Sequence, residues 1–273
     1  MTRIMGILNV TPDSFSDGGR FYALEQAVTR GLAMIDEGAD ILDIGGESTR
    51  PGAQEISVDE ELSRTIPVIT ALRAQTRDRD LDITLSIDTR KSAVASAAIH
   101  AGADIWNDVS ALSFDENSLG VAAELGCPVI LMHAQGRPET MQDNPQYHDV
   151  VADVCAYLSA RAQAAIAAGI EPRNITLDPG IGFGKSLDDN LALIARLAEI
   201  KALGYDLLMG ASRKSFIGRV DGSMASDRLG GSLAAALFSL GQGADIVRVH
   251  DVSETVQAAL VWRAIEKKEN KPL

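Results

Sequence analysis

The sequence predicts a (β/α)8 barrel that forms a single domain over residues 1–273, and three observations support this. A helix that ends at glycine, a tight turn and an apolar strand recur at 37–44, 101–108 and 242–249, which indicates repeated helix-to-strand joints. Short apolar runs alternate with Ala- and Leu-rich helical stretches along the chain. Apolar residues make up 46% of the chain but aromatic residues only 4%, which is typical of the aliphatic core of a parallel sheet.

The predicted strands and helices alternate from one end of the chain to the other. The strands are expected at about 3–9, 41–46, 82–87, 103–107, 128–132, 175–178, 206–210 and 245–249. The helices are expected at Leu24–Glu37, Val58–Arg73, Lys91–Ala101, Val150–Ala168, Leu187–Leu203, Asp227–Leu240 and Glu254–Lys268, with a charged surface segment at 77–80. Eight strands in about 250 residues favour a closed barrel. A doubly wound open sheet is the alternative, because periodicity cannot show closure.

Charge and the rare residue types argue against several functions. A net charge of −13, from 25 basic and 38 acidic residues, repels nucleic acid and anionic lipid over most of the surface. The two cysteines, Cys127 and Cys155, and four scattered histidines have no ligand spacing, so neither a structural zinc site nor a disulfide framework is expected. The first apolar run contains Gly6 and Asn9 and predicts a strand, not a signal sequence. No stretch is expected to span a membrane, and a cytoplasmic location is the simplest expectation.

A glycine-rich loop follows the strand that ends at Asp178. It fails the P-loop pattern because Pro179 occupies the first glycine position, and it fails the dinucleotide fingerprint because Lys185 occupies the third. The remaining features are a carboxylate and Phe183 among glycines, a combination that suits a polar aromatic ligand. An Asp that caps the turn and a Phe that packs on the core are an equally good explanation of this stretch alone.

A barrel places its chemistry at the carboxyl ends of its strands. These ends carry polar and ionisable residues, namely Asn9, Asp43 with Glu47, Asp88, Asn107 with Asp108, Met132 with His133, Asp178, Ser212 with Arg213 and Lys214, and Arg248 with His250. Turn preference explains any one of them, but not eight ends that include arginine and histidine.

Two sets of these residues predict binding chemistry. Asp88, Asn107 and Asp178 suit the donor edge of a guanidine-like heterocycle, and the carboxylates would stabilise positive charge that develops beside it. The alternative is a carboxylate set that ties neighbouring loops together.

The second set is cationic. Arg50, Arg248 and His250 suit a diphosphate leaving group, with Thr49 as a hydroxyl donor. Asn9 offers a neutral oxygen for a Mg²⁺ ion that keeps most of its waters and bridges the diphosphate. Each arginine equally suits a surface ion pair in so acidic a protein.

Two loops are predicted to be mobile lids, at 10–19 and 48–53, because they carry glycine and proline and little that would pack. Phe15 in the first loop is expected to be an exposed aromatic residue.

The motifs at these positions closely resemble those of the dihydropteroate synthase family from the first strand to the last. They are the segments 9–19, 45–52, 86–89, 132–133, 178–185, 212–215 and 248–250. The resemblance implies a barrel enzyme that joins 6-hydroxymethyl-7,8-dihydropterin diphosphate to 4-aminobenzoate in folate synthesis. It also implies Mg²⁺ dependence, a homodimer and inhibition by sulfonamides.

The resemblance further implies a role for each matching residue, with Asp88, Asp178 and Lys214 as the catalytic residues. Pterin binding is implied for Asp88, Asn107, Met132, Asp178, Gly210 and Lys214. Diphosphate binding is implied for Thr49, Arg50, Arg248 and His250, and metal binding for Asn9. Binding of 4-aminobenzoate is implied for Phe15, Pro51, Phe183, Ser212 and Lys214.

Two rival functions and one open question remain at this stage. A pterin-binding methyltransferase shares the barrel and carboxylates but does not need the phosphate set. A non-catalytic pterin-binding relative is expected to lack one of the loop or cation motifs. The small-residue run 229–236 suits either a contact between subunits or packing within the barrel.

Overall fold

The computed structural model describes residues 2–11, 19–48, 53–136 and 145–269. Eight parallel strands close into a barrel in the order β1 to β8. They are β1 Arg3–Asn9, β2 Ile41–Gly45, β3 Thr84–Asp88, β4 Ile105–Asp108, β5 Val129–Met132, β6 Ile175–Asp178, β7 Asp206–Met209 and β8 Ile246–Val249. The predicted closed barrel is confirmed, and the open-sheet alternative is wrong, because β1 also pairs with β8.

Helices surround the barrel. They are α1 Gly19–Asp36, α2 Val58–Asp78, α3 Ser92–Ala101, α4 Ser118–Leu125, α5 Val150–Ala167, α6 Leu187–Ala195, α7 Leu197–Lys201, α8 Ser215–Asp221, α9 Leu229–Gly241 and α10 Val252–Glu269. The short helices α4 and α8 were not predicted, because eight and seven residues give too few turns for an apolar period. The predicted helix 187–203 is interrupted at Arg196, whose side chain pairs with Asp149 and Glu199. Part of the predicted surface segment at 77–80 is helical, because α2 continues to Asp78.

The barrel has two apolar layers. The interior is filled by one residue from each of six strands, Met5, Ile41, Ile105, Ile130, Leu208 and Ile246. The outer layer packs the other strand faces against the helices and forms the larger core cluster. Burying each large aliphatic side chain contributes about 1.5–3 kcal/mol, so these two layers are the main source of the stability of the barrel.

Strand register brings the carboxyl ends together. Asn9 pairs with Gly45, Gly45 with Asp88, and Asp88 with Asn107. On the other side of the barrel Met132 pairs with Asp178. The predicted strand-end residues therefore share one rim, as parallel strands require.

Among the described residues, the helix α5 is long and apolar enough to cross a membrane by length and composition, with a mean hydropathy of 1.2 over 18 residues, a test that a core helix also passes. In the fold, α5 packs against α4, α6, α7 and β5. Val151, Val154 and Leu158 are fully buried there. Its apolar residues are thus those that a barrel helix needs for packing.

Candidate active site

A hydrogen-bonded group of four side chains joins β2, β3, β4 and β8 at the rim, and we refer to Asp43, Asp88, Asn107 and Arg248 as the carboxylate cluster. Arg248 donates from Nε to Asp43 Oδ2 at 2.6 Å and from its terminal nitrogen to Asp88 Oδ2 at 2.7 Å. Asn107 Nδ2 donates to the same Asp43 oxygen at 3.1 Å. Arg248, which was predicted to bind the diphosphate, therefore contacts Asp88, which was predicted to bind the heterocycle.

The carboxylate cluster leaves acceptor atoms without a donor. Asp43 Oδ1 and Asp88 Oδ1 are buried and accept no hydrogen bond from the described residues. The amide of Asn107 gives its nitrogen to Asp43, which orients its oxygen away from that carboxylate. A buried acceptor without a donor costs about 1–3 kcal/mol. A ligand with several N–H groups would remove that cost.

Burial and charge shift the titration of this cluster. Burial raises the pKa of Asp88 to about 7, with Asp43 adding to the shift and Arg248 opposing it. Burial alone would lower the pKa of Arg248, but Asp43 and Asp88 outweigh it and the net direction is upward. The arginine therefore stays charged, and burial shifts the pKa of Asp88 toward neutral pH.

Asp178 faces the cluster from the end of β6. Its Oδ1 accepts a hydrogen bond of 2.7 Å from the backbone N–H of Gly180, and the residue is 6% exposed. Burial raises its pKa, and Lys214 opposes the shift. Asp178 does cap the turn, as one of the two explanations supposed, but this bond fixes only one oxygen. The second oxygen is the one available to a ligand.

Lys214 lies between Asp178 and Phe183. Its amine donates to the carbonyl oxygen of Ile181 and lies 4.5 Å from the centre of the Phe183 ring. Burial lowers the pKa of Lys214 to about 8, against the raising effect of Asp178. Phe183 is only partly buried, so its ring is a wall of the rim and is not folded into the core.

Ser212 and His250 form a pair that links the β7 and β8 ends. The backbone N–H of His250 donates to Ser212 Oγ at 3.2 Å, and the ring Nδ1 lies 3.0 Å from the same oxygen. Arg248 is the third residue of β8 and His250 is the first residue after it, so both lie at the carboxyl end of this strand. Gly210, just after β7, leaves space beside Arg248, since an added Cβ would lie 3.9 Å from the Cβ of Arg248.

Asn9 ends β1 and is partly exposed beside Asp88. An added Cβ at Gly45 would lie 3.7 Å from both Asn9 Oδ1 and Asp88 Oδ2, which puts an amide oxygen and a carboxylate oxygen on one side of the rim. The described residues contain no group of three or more His, Cys, Asp or Glu that could hold a metal ion. This donor set fits a Mg²⁺ ion that takes most of its ligands from water and phosphate.

A buried ionic network lies below the connection from β2 to α2. Lys91 donates to Glu61 at 2.7 Å and lies 3.3 Å from Glu47. Glu47 also accepts the backbone N–H of Ile56 at 2.9 Å and pairs with Arg90 at 3.3 Å. These bonds fix both ends of the connection that carries the residues at 49–52.

Several predicted site residues lie outside the described part of the chain. They are Phe15, Thr49, Arg50 and Pro51. Most residues of the two predicted lids, at 10–19 and 48–53, also lie outside the described residues. The described site residues, including the buried Met132 at the end of β5, all lie at the carboxyl rim.

Sequence reasoning missed two residues. Asp43 was noted only as a strand end, although a carboxylate inside the apolar strand of 41–45 is a signal of a buried polar role. Lys185 was used only to reject nucleotide motifs, and its 1% exposure has no sequence signal, because a lysine in a glycine-rich loop is normally solvated.

The comparisons with known proteins agree with this geometry. A model of the pterin binding enzyme family matches residues 5–250. Dihydropteroate synthase of Escherichia coli strain K12 is 50% identical over 269 residues, covering 98% of this chain and 93% of that protein. The structure of Xanthomonas albilineans dihydropteroate synthase with 4-aminobenzoic acid has 49% identity and a TM-score of 0.91, covering 99% of this chain and 94% of that one. Yersinia pestis dihydropteroate synthase in a sulfonamide drug complex has 45% identity and a TM-score of 0.90, with 97% and 94% covered.

The barrel, its polar rim and the family match define the class of protein, a pterin-binding barrel enzyme. Within that class the chain belongs to the dihydropteroate synthase family, whose members are transferases. The resemblance predicted from the motifs is confirmed.

Proposed function

We propose that the protein condenses 6-hydroxymethyl-7,8-dihydropterin diphosphate with 4-aminobenzoate, which yields 7,8-dihydropteroate and diphosphate for folate synthesis. The observation that carries this proposal is that the buried oxygens Asp43 Oδ1 and Asp88 Oδ1 accept no hydrogen bond from the part of the chain that the structure describes. The 2-amino group and ring N–H of a pterin form a donor edge that complements such acceptors. The relatives' shared name and the 4-aminobenzoic acid bound by the Xanthomonas protein support the same pair of substrates.

The pterin ring is held by acceptors at fixed positions. Asp88 Oδ1, the Asn107 amide oxygen and the second oxygen of Asp178 each accept an N–H from the ring. Asp43 positions two of the neighbouring side chains, because its Oδ2 accepts hydrogen bonds from both Asn107 and Arg248. Met132 and Gly210 border the ring, and Lys214 binds its edge.

The enzyme must activate the electrophile, which is the pterin methylene carbon, because a neutral aromatic amine is a modest nucleophile. The bond between the pterin methylene carbon and the diphosphate oxygen breaks, and its electron pair leaves with the diphosphate. The negative charges of Asp88 and Asp178 stabilise the pterin cation that remains. The nitrogen lone pair of 4-aminobenzoate then forms the C–N bond, and the proton it loses passes to the departing diphosphate.

Cationic side chains receive the diphosphate. Arg248 and His250 lie at the β8 end, and the motif match assigns the same role to Thr49 and Arg50, which lie outside the described residues. Asn9 would hold a Mg²⁺ ion, which supplies charge neutralisation to the phosphate oxygens when bound.

The arylamine binds on the outer side of the rim. Phe183 offers a flat apolar face, and the amine of Lys214 lies over it. Ser212 adds a hydroxyl that His250 orients, and the motif match assigns arylamine binding to Phe15 and Pro51 as well, which lie outside the described residues. Sulfonamides occupy this arylamine site.

An assay of diphosphate release with the two substrates tests the proposed reaction. Release that requires 4-aminobenzoate is the expected result. A methyltransferase would release no diphosphate, and a non-catalytic relative would bind pterin without turnover. Either outcome would overturn the proposed reaction while leaving the family assignment intact.

A homodimer and a cytoplasmic location are part of the proposal. Phe238 on α9 and Leu260, Val261 and Ile265 on α10 form an apolar face, and each is between 49% and 59% exposed. The nearby small-residue run serves packing within the chain at Gly231, where an added Cβ would lie 2.4 Å from Ile217. Both cysteines are free thiols, which supports a reducing compartment.

Sedimentation equilibrium tests the dimer. We expect two copies per particle for the parent protein and monomers when Phe238 and Val261 are both changed to Asp, because burying two carboxylates at an apolar interface is costly. A parent protein that sediments as a monomer at micromolar concentration would contradict the proposed assembly.

A further inference from the structure

The loop between β6 and α6 is held against the loop that follows β5. Gly180, Gly182 and Gly184 all have positive φ, between 61° and 84°. An added Cβ at Gly180 would lie 1.9 Å from the carbonyl oxygen of His133, and one at Gly184 would lie 2.4 Å from that of Gln135. The backbones of the two loops are therefore packed directly against each other. Hydrogen bonds between the loops hold them together, and a shift of the β6–α6 loop would break them.

Lys185 joins the two loops through its buried amine. It is 1% exposed, and its amine bonds to three acceptors. It donates to the carbonyl oxygen of Phe183 at 2.9 Å, to His133 Nδ1 at 2.9 Å and to the His133 carbonyl oxygen at 3.3 Å. An ammonium group has three N–H donors, so every donor is used inside the protein.

The charge states in this contact are defined by burial. Burial lowers the pKa of His133 to about 3, with Lys185 adding to the shift, so the imidazole is neutral and accepts through Nδ1. Burial, with the charge of Lys214, lowers the pKa of Lys185 to about 7. The three hydrogen bonds of the Lys185 amine replace the water that burial removes.

Tyr147 makes a second bond to the same loop. Its hydroxyl donates to the carbonyl oxygen of Gly184 at 2.7 Å. Tyr147 thus binds the Gly184 carbonyl from the β5 side, and the Lys185 amine, within the loop itself, links the Phe183 carbonyl to His133 at the end of β5. The ring of Phe183, which projects from this fixed backbone, lies beneath the amine of Lys214.

We propose that Lys185, assisted by Tyr147, is a positioning residue that fixes Phe183 as the flat wall of the arylamine site. This inference rests on the proposed function, since it assigns the Phe183 face to 4-aminobenzoate. Most pterin contacts come from the strand ends at Asp88, Asn107 and Asp178. The loop reaches the pterin site only through the Gly180 N–H on Asp178 and the Ile181 carbonyl on Lys214, and Lys185 bonds to neither Gly180 nor Ile181. Loss of the Lys185 bonds should therefore weaken binding of the arylamine and leave binding of the pterin unchanged.

The decisive variant is Lys185→Met, which keeps most of the length and the unbranched apolar character of the side chain and removes the three donors. We expect the KM for 4-aminobenzoate to rise about tenfold, as expected for a displaced binding wall. The Kd for pterin, measured by calorimetry without arylamine, should stay within about threefold of the parent value. Tyr147→Phe removes one neutral hydrogen bond and should raise the same KM about threefold.

The matched control is Lys201→Met, which removes a lysine that pairs with Asp245 at 2.6 Å at the opposite end of the barrel. It should lower the melting temperature without a change in either constant. If Lys185→Met melts earlier but keeps the parent KM for 4-aminobenzoate, Lys185 only stabilises the fold and the inference is overturned.

Two further outcomes are informative. If Lys185→Met does not fold, Tyr147→Phe decides, and an unchanged KM in that variant overturns the inference. If the parent protein itself releases no diphosphate, the proposed function fails, and the calorimetric affinity of the parent and the variants for 4-aminobenzoate then tests the positioning role separately.

Discussion

Asp178→Asn should reduce kcat/KM by two to three orders of magnitude while leaving the fold intact. In the parent protein Asp178 Oδ1 accepts the backbone N–H of Gly180 at 2.7 Å. Only the oxygen of an asparagine amide can accept that bond, so the new amide is held in one orientation. Its NH₂ group must then point to the place of the second carboxylate oxygen.

The magnitude follows from that orientation. A ligand N–H that donated to a carboxylate now meets another donor. The lost charged hydrogen bond is worth about 1.5–3 kcal/mol, and the unsatisfied ligand donor adds about 1–3 kcal/mol. A net loss of about 3–4 kcal/mol corresponds to a 10²- to 10³-fold lower kcat/KM. Stability should change little, because burial already raises the pKa of this carboxyl and a neutral amide has no charge to desolvate.

Steady-state kinetics and thermal melting of one preparation give both quantities. Asp245→Asn is the control, since Asp245 accepts bonds from Lys201 at 2.6 Å and from the Leu207 N–H at 2.8 Å at the amino end of the barrel. It should lose stability and keep its kinetics. A rate for Asp178→Asn within about threefold of the parent value would remove Asp178 from the site.

Three further results are expected. Lys214→Ala should abolish turnover with a nearly unchanged melting temperature, because the residue precedes α8 in a loop; normal activity with an earlier melt would assign it to the fold instead. A chelator should stop turnover, with recovery on added Mg²⁺ and no change in melting, because the described residues contain no cluster that could hold a structural metal; full activity in chelator would refute the metal proposal. Binding of 6-hydroxymethyl-7,8-dihydropterin, which has no titrating phosphate, should tighten as pH rises to about 7, since the pKa of Asp88 is raised to about 7 and its anion is the acceptor. Calorimetry in two buffers should show proton release just below that pH, and Asp88→Asn should remove it; pH-independent binding by the parent would contradict the role of Asp88.

The local pattern of the sequence was sufficient for the alternating strands and helices and for the polar rim, while closure was decided by the pairing of β1 with β8. Glycine-ended helices followed by aliphatic strands identify the repeated unit, and the strand ends then name Asp88, Asn107, Asp178 and Arg248 as neighbours. This works because strand direction and register depend on side-chain periodicity, which is a local property. The motifs also identify the family without any coordinates.

Only the tertiary structure decided which of these groups touch. Arg248 was predicted to bind the diphosphate, and the structure shows that it also bonds to Asp43 and Asp88. Asp43 and Lys185 acquire their roles from burial and from partners 205 and 52 residues away in sequence. Pairings at such separations leave no periodic trace in the chain, because they depend on barrel closure and on how two loops pack. The sequence therefore determined the fold and the chemical inventory of the rim, while the closed barrel determined how those charges are paired and which oxygens are left for a ligand.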